Sequence, residues 1–242
     1  MSAPAPRRPA KLLISLCALL AFCGFVALGN WQLERRVWKL DLIERVNERA
    51  HAAPQAAPKQ SQWPQISQEA DEYRKLSLQG QFLADRDTLV VGASELGSGY
   101  WVMTPFRSES GGLILVNRGF INQGVTPTPA PSNNVEVTGL LRISEPHGSV
   151  LRDNQPSQNR WYSRDTQAIG QAQDLQLAPY FIDAAANQPG SPGAPGPTGG
   201  LTIIQFHNSH LVYAITWYGL ALMVIGAAVL VKREQGRRDK RA

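Results

Sequence analysis

The chain has 242 residues, of which 43% are hydrophobic and 18% charged, with two cysteines and a formal net charge of +5. Two cysteines cannot form a disulfide scaffold, and so apolar a composition argues against a disordered chain. The basic excess lies at the ends: residues 1–29 carry +3 and residues 211–242 carry +4, whereas residues 30–210 carry −2. This distribution argues against a nucleic-acid-binding protein, which needs a basic face on its folded part.

Two long uncharged runs lie beside the basic ends, at residues 12–33 and 211–231. A helix needs about 20 apolar residues to cross a bilayer, and both runs are long enough. Backbone polar groups in lipid must pair within their own segment, so each run should be helical. We therefore predict transmembrane helices at residues 12–30 and 211–231.

Flanking charges predict the orientation of these helices. Six Lys or Arg residues lie within residues 232–242, whereas residues 201–210 contain neither. The positive-inside rule then makes residues 232–242 a basic cytoplasmic tail. With two spans, residues 1–11 form a second cytoplasmic tip and residues 31–210 lie on the other side of the membrane.

The first run also has a second interpretation, a cleaved signal peptide. Ala27-Leu28-Gly29 has the small-x-small form that signal peptidase accepts. Beyond it, Trp31–Ala50 predicts a juxtamembrane helix whose Trp31 and Trp38 suit the aromatic belt at a membrane surface.

The region between the runs has the alternation typical of β-strands. In YRKLSLQGQF, Leu76, Leu78 and Phe82 alternate with polar residues. Further strands are predicted at TLVVG, GYWVMTPF, LILVNRGF, VEVTGLLRI and FIDA, a helix near residues 164–176, and a Pro/Gly loop at 188–200. The predicted fold class is α+β, with two transmembrane helices flanking a mainly antiparallel-β extracytoplasmic domain.

Histidines are the only candidates for metal chemistry in this sequence. It contains no CxxC, HExxH, P-loop or GxSxG motif, and FHNSH places His207 and His210 directly before the second run. Neutral imidazole is the commonest nitrogen ligand, and the alternative is a solvated residue at the membrane surface. Residues three apart share one side of a helix, so at most one of the pair binds a given haem iron.

A series of motifs in chain order covers nearly the whole chain: GNWQLERRVWK, YRKLSLQGQF, GYWVMTPF, LVNRGF, NRWYSRD, YFIDA, PTGG and NSHLVYAITWYGLA. Together they resemble the surfeit locus protein 1 family of cytochrome c oxidase assembly factors. The resemblance implies a non-enzymatic helper that binds or delivers haem a transiently during maturation of an aa3-type oxidase. Its partners would be the oxidase large subunit and haem a synthase. With no Arg-rich presequence, the expected location is a bacterial inner membrane with the β domain in the periplasm.

Two other functions stay open at this point. A scaffold that binds oxidase subunits but no haem would share the same motifs, and haem content distinguishes it from a haem-binding chaperone. A membrane-tethered periplasmic enzyme is less favoured because the sequence has no recognisable nucleophile–base pair or metal cluster.

His210 matches the family's histidine at the start of the second span, and the resemblance implies that it is the haem iron ligand. His207 departs from the family's usual residue and is assigned no role. Further candidates around haem a are Trp217, Tyr213, Thr216, Trp31, Gln32 and Arg118. For those on the helices the alternative is helix packing. Arg118 is a candidate to pair with a haem propionate, and its alternative role is a buried ion pair with Asp165.

Overall fold

A computed structural model describes residues 8–146, 152–193, 196–204, 206 and 208–239, with side chains described from residue 12 to residue 237 within these ranges. The helices are α1 (Arg8–His51), α2 (Gln68–Asp71), α3 (Thr166–Ala172) and α4 (His210–Asp239), with 3₁₀ turns at Gln60–Gln65 and Pro156–Gln158. The strands are β1 (Gln55–Ala56), β2 (Lys75–Phe82), β3 (Thr88–Ser94), β4 (Gly97–Ser108), β5 (Leu113–Asn122), β6 (Val135–Ile143) and β7 (Leu177–Ala184).

The chain forms two compact units. One is a helix pair from residues 1–44 and 205–242, and the other is a β domain from residues 45–204. The predicted α+β class, with two apolar helices flanking a mainly antiparallel β domain, is confirmed.

The β domain is a closed ring of five strands. Its order is β2-β6-β7-β5-β4, and a further pairing of β2 with β4 closes the ring, while β1 and β3 extend it on the outside. The β1–β2 and β5–β7 pairs are parallel and the others antiparallel. The alternating residues Leu76, Leu78 and Phe82 lie in the core, as their period-two spacing predicts.

Gly80 makes the closure possible. It pairs with Val135 on β6 and with Ser108 on β4, at the point where β2 passes from one partner strand to the other. A Cβ atom there would lie 2.0 Å from the carbonyl oxygen of Arg107, closer than any real contact. Only glycine allows β2 and β4 to approach this closely.

The helix pair consists of α4 and the N-terminal part of α1. α1 continues without a break from the predicted span into the predicted juxtamembrane segment. Both helices are long and apolar enough to cross a membrane, at Leu12–His51 and His210–Arg237, and only 6% and 11% of their most apolar stretches are buried. Such exposed apolar surface is not that of a soluble core helix.

Candidate functional site

The two helices meet along a seam of residues spaced three and four apart. The buried or half-buried seam residues are Ala18, Phe22, Phe25, Gly29 and Gln32 on α1, and His210, Ala214, Trp217, Ala221 and Val224 on α4. This 3.5-residue period is that of antiparallel helices packed side by side. Most of these residues are apolar or small, so the polar ones stand out chemically.

Gln32 and His210 form a hydrogen-bonded pair in this seam. The ring Nδ1 of His210 lies 2.7 Å from Oε1 of Gln32, and Gln32 is only 9% exposed. Because the amide oxygen can only accept, Nδ1 carries the proton in this arrangement. In the neutral tautomer the other ring nitrogen, Nε2, then carries a lone pair, which is the form of imidazole that binds a metal.

Trp217 lies on the same face of α4, two turns beyond His210. Its indole stacks on Phe25 with ring centroids 5.7 Å apart and planes inclined by 25°. Its Nε1 atom is buried and has no hydrogen-bond partner in the described structure. A buried donor left unpaired costs about 1–3 kcal/mol, so this N–H is available to a ligand that brings an acceptor.

A second polar contact joins the two helices beside the seam, and it was not predicted from the sequence. The Tyr218 hydroxyl donates to Oδ1 of Asn30 at 2.6 Å. A Cβ atom at Gly29 would lie 2.7 Å from the Tyr218 ring, so the absence of a side chain at Gly29 leaves room for this tyrosine. The Gly-Asn-Trp-Gln stretch at residues 29–32 is the available signal, since small and polar residues concentrate where membrane helices pack.

The remaining helical candidates point away from the seam. Trp31 is 54% exposed and Tyr213 is 55% exposed. Thr216 is exposed too, and its hydroxyl donates to the carbonyl oxygen of Val212 in its own helix, at 2.9 Å. The structure thus brings His210, Gln32 and Trp217 together, but not these three.

Arg118 lies in the β domain and is fully buried. The register between β4 and β5 shifts opposite it, so Arg118 is the extra residue of a β-bulge. Its Nε donates to the Gly190 carbonyl at 2.7 Å, Nη2 to the Thr128 carbonyl at 2.5 Å, and Nη1 to Asp87 at 3.1 Å.

These contacts correct the predicted ion pair of Arg118. The predicted partner Asp165 instead caps helix α3, where its carboxylate accepts from the backbone N–H of Ala168 at 3.0 Å. Burial lowers the pKa of Arg118 below its ordinary value, and the Asp87 carboxylate opposes the shift. Every nitrogen of this guanidinium already has an acceptor, so it has a structural role in the β domain.

A second charged cluster surrounds Asp183 on β7. Its two carboxylate oxygens accept from Asn117, Arg142, Arg164 and Thr202, at distances between 2.8 and 3.4 Å. Burial alone would lower the pKa of Arg142, but the charges around it, chiefly that of Asp183, raise it overall. These groups satisfy one another, which is typical of a structural network.

No group of three or more His, Cys, Asp or Glu side chains is arranged to hold a metal ion within the described ranges. His147 and His207 lie outside those ranges. His210, the predicted haem ligand, lies within the described ranges.

The fold and the seam together define a class of protein. In the sequence, a closed β domain lies between two helices that can each cross a membrane, and an imidazole–amide pair lies where those helices pack. The SURF1 family profile matches residues 19–222, and the chain belongs to this family. It is 33% identical to Surfeit locus protein 1 of Xenopus tropicalis over 239 residues, covering 90% of this chain and 75% of that protein. It is 34% identical to Surfeit locus protein 1 of Rattus norvegicus, covering 80% of this chain and 67% of that one. The SURF1-like protein of Monosiga brevicollis is 32% identical over 88% of this chain and 85% of its own length.

Proposed function

We propose that this protein is an assembly factor for an aa3-type cytochrome c oxidase and binds haem a during maturation of the large subunit. The observation that carries the proposal is the His210–Gln32 pair, in which Gln32 takes up Nδ1, so that the neutral ring has Nε2 to offer as a ligand. Membership of the SURF1 family supports the assembly role. Haem a synthase, which would supply the cofactor, is the second proposed partner.

The residues of the seam fit a haem. A single imidazole binds iron well when the iron brings its other ligands, and a haem brings four nitrogen atoms of its own. Large apolar side chains are exposed near the pair on both helices, among them Trp31, Leu211 and Val212, as a macrocycle requires, and the unpaired Trp217 N–H is a donor without an acceptor. Haem a differs from haem b in its formyl and hydroxyl oxygens, and either can accept from that N–H.

Gln32, His210 and Trp217 have distinct tasks in this proposal. Gln32 holds the proton on Nδ1 of His210 and fixes the direction of the ring, as groups behind metal-binding histidines do. His210 would hold the iron through Nε2, and Trp217 would discriminate between haems through its N–H donor. The bound haem supplies the redox chemistry of the future oxidase, while this chain holds and releases it.

We place both apolar helices across the bacterial inner membrane, with both termini in the cytoplasm and the β domain in the periplasm. The basic residues that follow α4 support this orientation. Alkaline phosphatase fused at Gly190 should be active and the same enzyme fused at Ala242 inactive. The reverse pattern at either position would contradict this topology.

The haem-binding proposal is tested by co-expressing the full chain with the enzymes of haem a synthesis and recording the absorption spectrum of the purified protein. We expect haem a to co-purify, and a matched host that makes only haem b to yield far less bound haem. A Trp217→Phe variant keeps the stacking on Phe25 but lacks the donor, so the formyl stretch in its resonance Raman spectrum should move to higher frequency. Protein that carries no haem but still captures the oxidase large subunit would instead establish the scaffold function.

The assembly role is tested separately by deleting the gene. We expect membranes with a diminished haem a absorption band, reduced aa3-type oxidase activity and unchanged haem b-type quinol oxidases. Normal abundance and normal activity per haem a, in a strain without a second copy, would contradict an assembly role.

A further inference from the structure

The helix pair has a groove at the end opposite His210. The groove encloses about 540 Å³ between the two helices. Its wall on α1 is formed by Ile14, Ser15 and Ala18, and its wall on α4 by Val224, Ala227, Ala228, Val231, Lys232 and Gln235.

Small side chains open this groove. Ser15 and Ala18 face Ala227 and Ala228, and none of these side chains is long enough to fill the space between the helices. Near His210 the same helices are joined directly, by the stacked rings of Phe25 and Trp217 and by the hydrogen bond of Gln32. Within the described residues, the groove therefore lies at this end of the helix pair, whereas the end near His210 is closed by direct contacts.

The groove changes from apolar to cationic along its length. Its α4 wall runs from Val224 to Val231, about 10 Å of apolar helix, and ends at Lys232 and Gln235. This is also where the sequence is most basic, because residues 232–241 contain six Lys or Arg and two acidic residues. In the sequence, Arg7, Arg8 and Lys11 belong to the segment that precedes the α1 wall of the groove.

We propose that this groove binds one anionic phospholipid, with an acyl chain between the helices and the phosphate at Lys232 and Gln235. The occupant follows from charge complementarity, since an apolar slot that ends in an ammonium and an amide matches an acyl chain that ends in a phosphate. The site needs no haem, and it rests only on the proposed placement of both helices in a bilayer.

Native mass spectrometry of the purified full chain tests the site directly. The detergent-solubilised protein is titrated with phosphatidylglycerol or with phosphatidylcholine of identical acyl chains, and retained lipids per chain are counted. We expect one tightly retained phosphatidylglycerol, several-fold less phosphatidylcholine, and no competition by inorganic phosphate. Equal retention of the two lipids, or displacement by inorganic phosphate, would overturn the proposal.

Matched variants separate the groove from general positive charge. Lys232→Gln removes the cation that lines the groove, and retention should fall about fivefold, the usual weight of one basic residue near an anionic lipid. Arg233→Gln removes an adjacent charge that does not line the groove and should change retention far less. Ala228→Leu should abolish retention by filling the groove, whereas Val229→Leu on the exposed face should not. Equal effects of Lys232→Gln and Arg233→Gln, or full retention in Ala228→Leu, would contradict the site.

Discussion

The two units of this protein differ in how fully their candidate-site groups are hydrogen-bonded, although the β domain also contains two buried atoms without a described partner, Gln173 Oε1 and Ser191 Oγ. In the β domain, Arg118 and Asp183 each have a partner for every polar atom, and those partners belong to the same domain. In the helix pair, the described bond of the His210 ring uses Nδ1, and the indole N–H of Trp217 has no partner. The charged groups of Arg118 and Asp183 are thus saturated by partners within the domain, while the seam contains groups with bonding capacity to spare.

This difference separates a structural network from a binding site. A saturated group can take a ligand only by giving up a partner, and in a buried site that loss costs several kcal/mol. An unsaturated group gains by binding. The contrast explains why Arg118, an attractive propionate partner in the sequence, is a structural residue, whereas His210 is a ligand candidate.

The largest effect is expected at Asp183. Asp183→Ala leaves Arg142 and Arg164 without their shared acceptor, which should cost the β domain about 3–5 kcal/mol of unfolding free energy. The near-UV circular dichroism melt of the full chain should shift down by on the order of 10 °C. Asp153→Ala, at an exposed aspartate, is the matched control and should leave the melt unchanged. Similar melts for the two variants would show that the network does not stabilise the domain.

Closing the ring at Gly80 should matter almost as much. Gly80→Ala drives a methyl group into the Arg107 carbonyl and should cost about 2–4 kcal/mol by separating β2 from β4. Gly97→Ala is the control for backbone strain, because Gly97 also has a positive φ, +108°, but a Cβ atom there meets nothing within 4 Å. Hydrogen exchange should show faster exchange along β2 in the first variant only. Unchanged protection of β2 would contradict the closed ring.

Gln32 should control haem binding rather than stability. Gln32→Leu removes the acceptor for Nδ1–H of His210, and haem affinity should fall by about 10- to 100-fold. Gln32→Glu restores an acceptor and should recover binding with a lower haem reduction potential, since a carboxylate makes the imidazole a stronger donor. Haem titration and redox titration measure both effects. Equal affinities and potentials in all three proteins would exclude Gln32 as the positioning residue.

The smallest effects are expected on the outer faces of α4. Tyr213 is exposed, and the Thr216 hydroxyl is satisfied within its own helix. Tyr213→Phe and Thr216→Ala should therefore change haem affinity less than twofold, within the usual range for exposed substitutions. A tenfold loss of haem affinity in either variant would indicate that haem binds to the outer face of α4 and not to the seam.

Most of the fold could be predicted from local patterns. Uncharged length predicts α1 and α4, and period-two alternation predicts strands such as β2, because burial imposes these patterns on the sequence itself. Ring closure was not predictable, since it depends on pairing between β2 and β4 that no local pattern encodes. The predicted boundary near residue 30 does not interrupt α1, because nothing in Asn-Trp-Gln-Leu breaks a helix.

The site was predictable only in its residue types. The sequence and the family resemblance marked Gln32, His210 and Trp217 as candidates, but their partners depend on how two helices far apart in sequence align. The same limit explains Arg118, where charge alone suggested Asp165 and the fold supplied Asp87. Opposite charges are common in a sequence, and only the tertiary structure selects among them.

The haem content of His210→Ala protein tests the central claim most directly. The variant is co-expressed with haem a synthesis alongside the wild type and a His51→Ala control, whose histidine is exposed and bonded to its own helix. His207→Ala is included as the neighbouring histidine and should change the spectrum much less. We predict that His210→Ala inserts and folds normally, but loses most of its haem and the wild-type absorption bands, while the control keeps both. Wild-type haem stoichiometry and spectrum in His210→Ala protein would show that His210 is an interfacial residue and not the iron ligand.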